Sequence, residues 1–404
     1  MVVLGLFSWI LVTKNPETPV GETLKNFLPF GSGDDFSPSN GNGFFGGEEV
    51  GEEFLDEDSQ ALAEILFRVT DTPTAGFVAL NMGTSSTVVR YTERATGHIY
   101  DVNLETLEKT RLTNQTLPKI YEAYFRADGS VALFRSLKDD SDTIENILVS
   151  FTPPRAIATT SPDSSFYTAS STILRGDIGS VVAGSGNTLF YVLRDAGSIV
   201  SATFDGSNQR TLFSSQFTDW ILSPYGNNGL LVYTKAGSGI PGYAYALSAS
   251  GGLTKLLGPI PELTAAMSYD GGKILYSQRD NTGLRLFINN ILNNTVSEIA
   301  SPSIAEKCVW SKVNLATVFC GVPSGGIGAN ELNDWYSGKT FFRDRIWSFD
   351  AGTELANLLA EPVRILGFDL DVFKPKLSPR EDYLVFMNKN DLSIWALKLE
   401  VLEE

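Results

Sequence analysis

Short apolar runs recur along most of the chain, and polar turns separate them. Seven runs of β-branched and aromatic residues stand out, at positions 88–91, 131–134, 189–192, 230–233, 274–276, 315–319 and 384–387. Where no insertion intervenes, they begin 41 to 44 residues apart. Each run is short and rich in residues that favour strands. The pattern therefore predicts seven copies of one β-rich unit.

The fifth unit shows the expected internal order of these copies. It predicts strands over 263–267, 273–278, 284–289 and 295–300, joined by turns rich in Gly, Asn and Asp. These residues supply the positive φ angles or side-chain hydrogen bonds that hairpin turns need. A unit of four strands and 40–45 residues is a propeller blade. The predicted fold class is all-β, a seven-bladed β-propeller of four-stranded antiparallel blades.

Two stretches carry a resemblance to a known family. Residues 268–277 read Ser-Tyr-Asp-Gly-Gly-Lys-Ile-Leu-Tyr-Ser, and residues 377–386 read Leu-Ser-Pro-Arg-Glu-Asp-Tyr-Leu-Val-Phe. Both resemble the S-P-D-G-x-x-I-x-F motif of WD40-like, TolB-type propellers. The resemblance covers residues 61 to 404 and implies the propeller fold rather than a particular function.

The two ends of the repeat region predict how the ring closes. The last unit has only three predicted strands, over 373–377, 383–388 and 392–397. Because β proteins avoid unpaired edges, we expect the strand-like segment 64–69 to complete blade seven. A linker arriving there would join the face that carries the turns between first and second strands.

Two long insertions interrupt the repeats. One, 152–177, is expected between blades two and three, and the other, 321–343, between the second and third strands of blade six. Both are expected on the face that carries the crossings between blades, where ligand-binding loops concentrate.

The chain before the repeats divides into two segments. Residues 1–12 are apolar but too few to span a bilayer, which takes about 20 residues in a helix. They are interpreted as the second half of a membrane anchor, with a short buried or disordered end as the alternative. Residues 13–60 are rich in Gly, Pro and Ser and end in clustered acids, which predicts a disordered acidic linker. The propeller is assigned to residues 61–404.

Charge and residue types narrow the possible functions. The chain has a formal net charge of −16, without the basic stripe that nucleic-acid binding requires. One histidine (His98) and two cysteines do not allow a metal site of clustered ligands, so we expect no metal and no cofactor. His98 lies in a strand-like stretch and is expected to be structural rather than catalytic. The acidic run 139–142 lacks the glycine and glutamate of a calcium loop, which favours solvated turn acids.

Aromatic residues in the second insertion are the candidate contact surface. Trp335, Tyr336, Phe341 and Phe342 lie between Gly-rich and polar stretches. Exposed aromatic rings bury much area on binding with little loss of entropy. The alternative is that these rings pack back onto the blade and order a long loop.

The two cysteines form a candidate disulfide. Cys308 and Cys320 are symmetric about Asn314, so in a hairpin they face each other. Directly opposed residues are close enough for a disulfide after a small adjustment. That bond implies an oxidising compartment. Two free buried thiols are the alternative.

Taken together, these features predict a non-enzymatic binding or scaffolding module. It would be monomeric, anchored outside the cytoplasm by its N-terminal segment, and would present loops to a protein or cell-surface polymer. The alternative is a glycosidase or lyase acting in the central funnel, because two carboxylates such as Asp369 and Asp371 suffice for glycosyl hydrolysis. One partial Asp-box at 348–352 is weak support for it, since Leu355 occupies the aromatic position.

Overall fold

The computed structural model describes residues 65–83, 86–138, 143–154 and 165–399. The predicted anchor 1–12, the predicted linker 13–60 and the acidic run 139–142 lie outside the described residues. Within the described ranges, no helix is long and apolar enough to cross a bilayer.

Seven four-stranded antiparallel sheets form the ring, as predicted. Six of them are continuous in sequence, and their strands run in chain order from the first, inner position to the fourth, outer one. These blades are: blade one, β2 (Thr74–Met82), β3 (Ser86–Glu93), β4 (Ile99–Asn103), β5 (Lys109–Arg111); blade two, β6 (Glu122–Phe125), β7 (Val131–Leu137), β8 (Ile144–Thr152), β9 (Thr168–Leu174); blade three, β10 (Ile178–Ala183), β11 (Thr188–Leu193), β12 (Ser198–Thr203), β13 (Arg210–Ser214); blade four, β14 (Trp220–Tyr225), β15 (Gly229–Thr234), β16 (Pro241–Leu247), β17 (Leu253–Pro261); blade five, β18 (Ala265–Met267), β19 (Lys273–Asp280), β20 (Gly283–Asn290), β21 (Thr295–Ile299); and blade six, β22 (Cys308–Trp310), β23 (Thr317–Pro323), β24 (Asp344–Asp350), β25 (Ala356–Ala360).

Blade seven combines both ends of the described chain. It holds β26 (Val372–Leu377), β27 (Tyr383–Asn388) and β28 (Ile394–Lys398), with β1 (Leu66–Arg68) as its outer strand. The strand β1 pairs antiparallel with β28, and Leu66 lies opposite Leu397. Leu66 is fully buried in the apolar cluster of blades six and seven. The edge of β28 is therefore paired by a strand from the start of the ring.

Two faces of the ring follow from strand order. In an antiparallel blade, the turn between first and second strands lies on the same side as the turn between third and fourth. We call this side the hairpin face. The turn between second and third strands shares the other side, the crossing face, with the connection to the next blade.

The first insertion differs from its prediction. The segment 152–177 contains β9, which pairs with β8 along its whole length, from Thr152 opposite Thr168 to Asn146 opposite Leu174. The long connection therefore joins the third and fourth strands of blade two and belongs to the hairpin side rather than to the crossing face. Sequence missed β9 because most of this Ser- and Thr-rich strand is exposed and lacks an apolar run.

The second insertion lies where it was expected, between β23 and β24. It starts after Pro323, so β23 continues three residues further than predicted. It contains the short helix α1 (Glu331–Tyr336), and a second helix, α2 (Pro362–Leu366), follows blade six. Both the insertion and α2 belong to the crossing face. The two insertions are therefore on opposite faces of the ring, and the predicted joint binding surface does not form.

The core lies between successive blades. The second strands are the most buried: in β27, every residue from Tyr383 to Asn388 is buried. Because successive strand residues point to opposite faces of a sheet, such a strand contacts both neighbouring blades. Val385 packs against blade one, and Phe386 packs toward blade six.

The predicted disulfide is present. Cys308 on β22 lies directly opposite Cys320 on β23, with 4.1 Å between their Cα atoms, and the two are bonded. The bond joins the inner two strands of blade six, beneath the second insertion.

Replacing Leu66 by alanine tests the outer strand of blade seven. The change removes a fully buried side chain, and we expect the free energy of unfolding of the whole chain to fall by about 2–5 kcal/mol in urea titration. Arg68→Ala, in the same strand but at a surface ion pair with Asp391, is the control and should change it by less than about 1 kcal/mol. Equal effects would show that β1 does not seal the ring.

The disulfide is tested by thiol counting and by stability. Denatured, unreduced protein should expose no reactive thiol, and reduction should release two. Because the bond closes a loop of 12 residues, replacing both cysteines by alanine should lower the free energy of unfolding by about 2–4 kcal/mol. Reductant should bring wild-type protein close to the variant. A difference that persists under reduction would mean that packing, not the bond, is responsible.

Candidate functional site

The predicted contact aromatics are mostly turned inward. Trp335 and Phe342 are 1% and 7% exposed, Tyr336 is partly buried, and Phe341 is 43% exposed. On α1, Leu332 and Trp335 are three residues apart and share the helix face that packs on the ring. The alternative that the rings order a long loop therefore holds for Trp335 and Phe342. Of the four, Phe341 is the ring that the surface presents.

Stacked rings support the insertion from below. The Trp335 ring stacks on Phe342 with 6.1 Å between centroids, and meets the edge of Phe373, on the inner strand of blade seven, at 6.0 Å. Such pairs contribute beyond the area that they bury. The insertion of blade six thus lies over the start of blade seven.

A buried lysine holds this arrangement together. Lys307 is fully buried in the 3₁₀ turn that precedes β22. Its Nζ donates to Asp344 Oδ2 at 2.5 Å, to the Asp371 carboxylate, and to the carbonyl oxygen of Val372 at 3.0 Å. We call Lys307, Asp344 and Asp371, with Trp335 and Phe342, the Lys307 cluster.

Asp371 connects the lysine to the insertion. Its Oδ2 accepts a hydrogen bond from Trp335 Nε1 at 2.9 Å and another from the backbone N–H of Phe342 at 3.0 Å. Because buried charges are stable only when they are paired and hydrogen-bonded, each contact supports the others. The cluster therefore fixes both ends of the segment 335–342 to the blades beneath it.

The electrostatics of the Lys307 cluster are unbalanced. Two carboxylates share one ammonium group, and burial raises the pKa of Asp344 to about 6, with Asp371 adding to the rise and Lys307 opposing it. Lys389 lies beside the cluster, with its Nζ 4.8 Å from the centroid of the Trp335 ring. Burial lowers the pKa of Lys389, Asp371 opposes that effect and Lys307 adds to it.

A further, partly buried carboxylate ties the insertion to blade four. Glu306 Oε1 accepts hydrogen bonds from the hydroxyls of Tyr336 at 2.7 Å and Tyr233 at 3.2 Å. Burial raises the pKa of Glu306, while the two hydroxyls lower it. Tyr336 therefore serves as a fixed support, and Lys235 covers its ring at 5.4 Å.

The surface that remains is small and mixed. Phe341 is exposed, and Lys389 Nζ lies 6.0 Å from its ring centroid. We call the crossing-face surface formed by Phe341, Lys389 and the exposed residues of segment 337–341 the platform. Its backbone is held by the two carboxylate networks beneath it.

The residues considered for catalysis are engaged elsewhere. His98 lies just before β4, where its Nε2 meets Thr116 Oγ1 at 3.1 Å and Arg111 at 3.0 Å, and burial lowers its pKa. Asp369 forms a surface ion pair with Arg343 at 3.0 Å, whereas Asp371 belongs to the Lys307 cluster. Among the described residues, no group of three His, Cys, Asp or Glu side chains could hold a metal ion.

Sequence reasoning missed Lys307, the centre of this site. A lysine before a strand is ordinarily exposed, and lysine is rarely buried unless it is paired. Its partners are 37 and 64 residues further along the chain, so no local pattern signals the pairing. Only the meeting of blades six and seven reveals it.

Replacing Asp371 by asparagine tests the cluster. Removing one charge from a buried network should lower the free energy of unfolding by about 3–5 kcal/mol and open segment 324–343 to limited proteolysis. Asp369→Asn is the matched control two residues away, where the exposed ion pair should contribute less than about 1 kcal/mol. Equal protease resistance in both variants would contradict the role given to Asp371.

Comparisons with known proteins agree on the fold. No protein-family model matches the sequence, and no curated protein matches it. An oligogalacturonate lyase from Vibrio parahaemolyticus is similar in structure at 10% identity and a TM-score of 0.50, over 82% of this chain and 93% of that chain. The WD40 repeats of RRP9 align with this chain at 10% identity and a TM-score of 0.49, over 83% of this chain and 97% of that chain. TolB from Acinetobacter baumannii aligns at 10% identity and a TM-score of 0.42, over 80% of this chain and 79% of that chain. The described chain is a seven-bladed propeller whose structural neighbours are WD40 and TolB-type propellers.

Proposed function

We propose that this chain is a non-enzymatic binding or scaffolding module. In this proposal, the crossing face contacts a protein or cell-envelope polymer through the platform, with Phe341 as its aromatic anchor and Lys389 beside it. Trp335, Tyr336 and Phe342 contribute by fixing the platform from below.

One observation carries this proposal. A long insertion is fixed to the ring by buried charged groups, which cost free energy unless they are paired and hydrogen-bonded as they are here to Lys307, Trp335 and Phe342. A rigid backbone lowers the entropy lost on binding, and a partly exposed aromatic ring beside a cation is a favoured contact. The same buried hydrogen bonds fix Phe342, the next residue, and so keep Phe341 in place at the surface.

The disulfide supports a location outside the cytoplasm. Disulfides persist in oxidising compartments and are rare in the cytosol. The Cys308–Cys320 bond thus agrees with the expected extracytoplasmic setting. The membrane anchor at 1–12 and the direction of the crossing face away from the membrane stay predictions, because they depend on residues outside the described ranges.

The alternative function, a glycosidase or lyase acting in the central funnel, has weaker support. The oligogalacturonate lyase is similar to this chain in fold, and 10% identity transfers no activity. Asp371, one of the two carboxylates considered for glycan cleavage, is already engaged by Lys307 and Trp335. That engagement favours a structural role for it.

Position-specific crosslinking tests the proposal. A photoreactive phenylalanine analogue at position 341 should crosslink to a component of the cell envelope. The same analogue at exposed Val313, on the hairpin face of the same blade, should not. Phe341→Ala should weaken binding of the identified component by about 10-fold or more.

Two results would overturn the proposal. One is crosslinking at 313 with none at 341, which would place the contact on the hairpin face. The other is release of new reducing or unsaturated ends from envelope glycans by the purified chain, which would show an enzyme.

A further inference from the structure

The inner strand of blade seven contains an unusual lysine. Lys374 has φ of 51° in the middle of β26, and the pairing of β26 with β27 shifts register between Phe373 and Lys376. Among the described non-glycine residues with positive φ, it is the one that lies inside a strand; the others are in turns or connections. A bulge with such a conformation re-aims a side chain, and strain of this kind concentrates at functional sites.

The side chain of Lys374 crosses the centre of the ring. Its Nζ lies 3.8 Å from Glu122 Oε1 and 5.3 Å from the ring centroid of Tyr124, both on β6. The strand β6 is the inner strand of blade two, and blade one lies between it and blade seven. Lys374 can reach β6 only through the central channel, which the inner strands line.

A second lysine enters the same channel. Lys376 Nζ donates to the carbonyl oxygen of Phe77 at 2.9 Å and lies 4.9 Å from the centroid of that ring. Phe77 is on β2, the inner strand of blade one. Two ammonium groups thus follow one another along the channel, on the side where the ring closes.

The charges around these lysines are not balanced. Glu122 is the nearby carboxylate, and its Oε2 already accepts a 2.7 Å bond from Arg135 Nη1. In the described chain, Lys374 Nζ has no acceptor within hydrogen-bonding distance, and Lys376 uses one of its three N–H donors. The group of Lys374, Lys376, Arg135 and Glu122 therefore carries net positive charge inside a chain of net charge −16.

Both lysines keep contact with solvent, since Lys376 is exposed and Lys374 is partly buried, and their pKa values are nevertheless lowered. Desolvation in the channel lowers the pKa of Lys376 to about 8, and Lys374 and Lys312 add to the effect. Desolvation also lowers the pKa of Lys374, with Arg135 and Arg94 acting in the same direction and Glu122 opposing them. A bound anion would reverse these shifts, because an opposite charge favours the charged form of each amine.

We propose that Lys374 and Lys376 form a binding site for a small oxyanion, a carboxylate or a phosphate, in the central channel. The two amines lie beside the rings of Tyr124, Phe77 and Phe373 and keep N–H donors that are not used within the described chain, which suits an anionic head group. Lys389, stacked 5.6 Å from Phe373, adds positive charge at the crossing-face end. The two lysines of this site, Lys374 and Lys376, are not part of the platform; Lys389 is common to both, and the site does not depend on the proposed partner.

Calorimetric titration of the full chain with citrate and with inorganic phosphate tests the site. Lys374→Met and Lys376→Met each remove a charge and keep the apolar stem, so each should weaken binding by about 10-fold or more. Lys255→Met is the matched control, an exposed lysine on β17 that also lies over a tyrosine ring, and should leave affinity unchanged. Lys374→Arg should retain binding. Preference for citrate or for phosphate identifies the head group.

A second measurement uses the wild-type protein and needs no variant to fold. Lysines carrying ¹³C-methyl labels are titrated by NMR, with and without the anion. The Lys376 signal should show a pKa near 8 in the free protein and a higher one in the complex. The groups that face it are Lys374, Lys312 and Phe77. The proposal is overturned if no saturable binding occurs below about 20 mM anion, or if binding is equal in all the methionine variants.

Discussion

The ring closes where blade seven meets blade one, and the pairing of β1 with β28 completes blade seven. Without that strand, β28 would present an unpaired edge. The pairing is anchored by Leu66, which is buried among residues of blades six and seven. Because the ring is closed, inner strands from distant parts of the chain face one another across a channel. Lys374 can therefore meet Glu122, 252 positions earlier in the sequence, and both candidate sites lie near this junction.

Charged side chains serve two purposes in this propeller. In the Lys307 cluster, each charge has a partner, and the network holds an insertion in place. In the channel, the lysines have donors in excess of the acceptors around them. The first arrangement is structural: its charges are paired, and Asp344 Oδ1 is the buried oxygen in it that lacks a hydrogen-bond partner among the described residues. The second is unsaturated, which is the property expected of a site that binds something.

The two sites are close because both use the start of blade seven. The Asp371 carboxylate and the Val372 carbonyl oxygen accept hydrogen bonds from the Lys307 ammonium group, and the Phe373 ring packs against Trp335. Lys374 follows directly and turns into the channel. A rigid platform and a positively charged channel therefore share one short segment, 371–376. Movement of the insertion and occupancy of the channel would be coupled through the backbone of β26.

The sequence by itself determined the features that arise from neighbouring residues. Alternating apolar runs and turn residues gave seven blades, and the predicted strand 383–388 matches β27 residue for residue. The symmetry of Cys308 and Cys320 about Asn314 placed the disulfide, because hairpin register is a local property. The exposed Ser- and Thr-rich β9 escaped notice since it carries little apolar signal. The tertiary structure alone decided which charged groups meet, because Lys307 and Lys374 reach their partners only where separate blades come together around a closed ring.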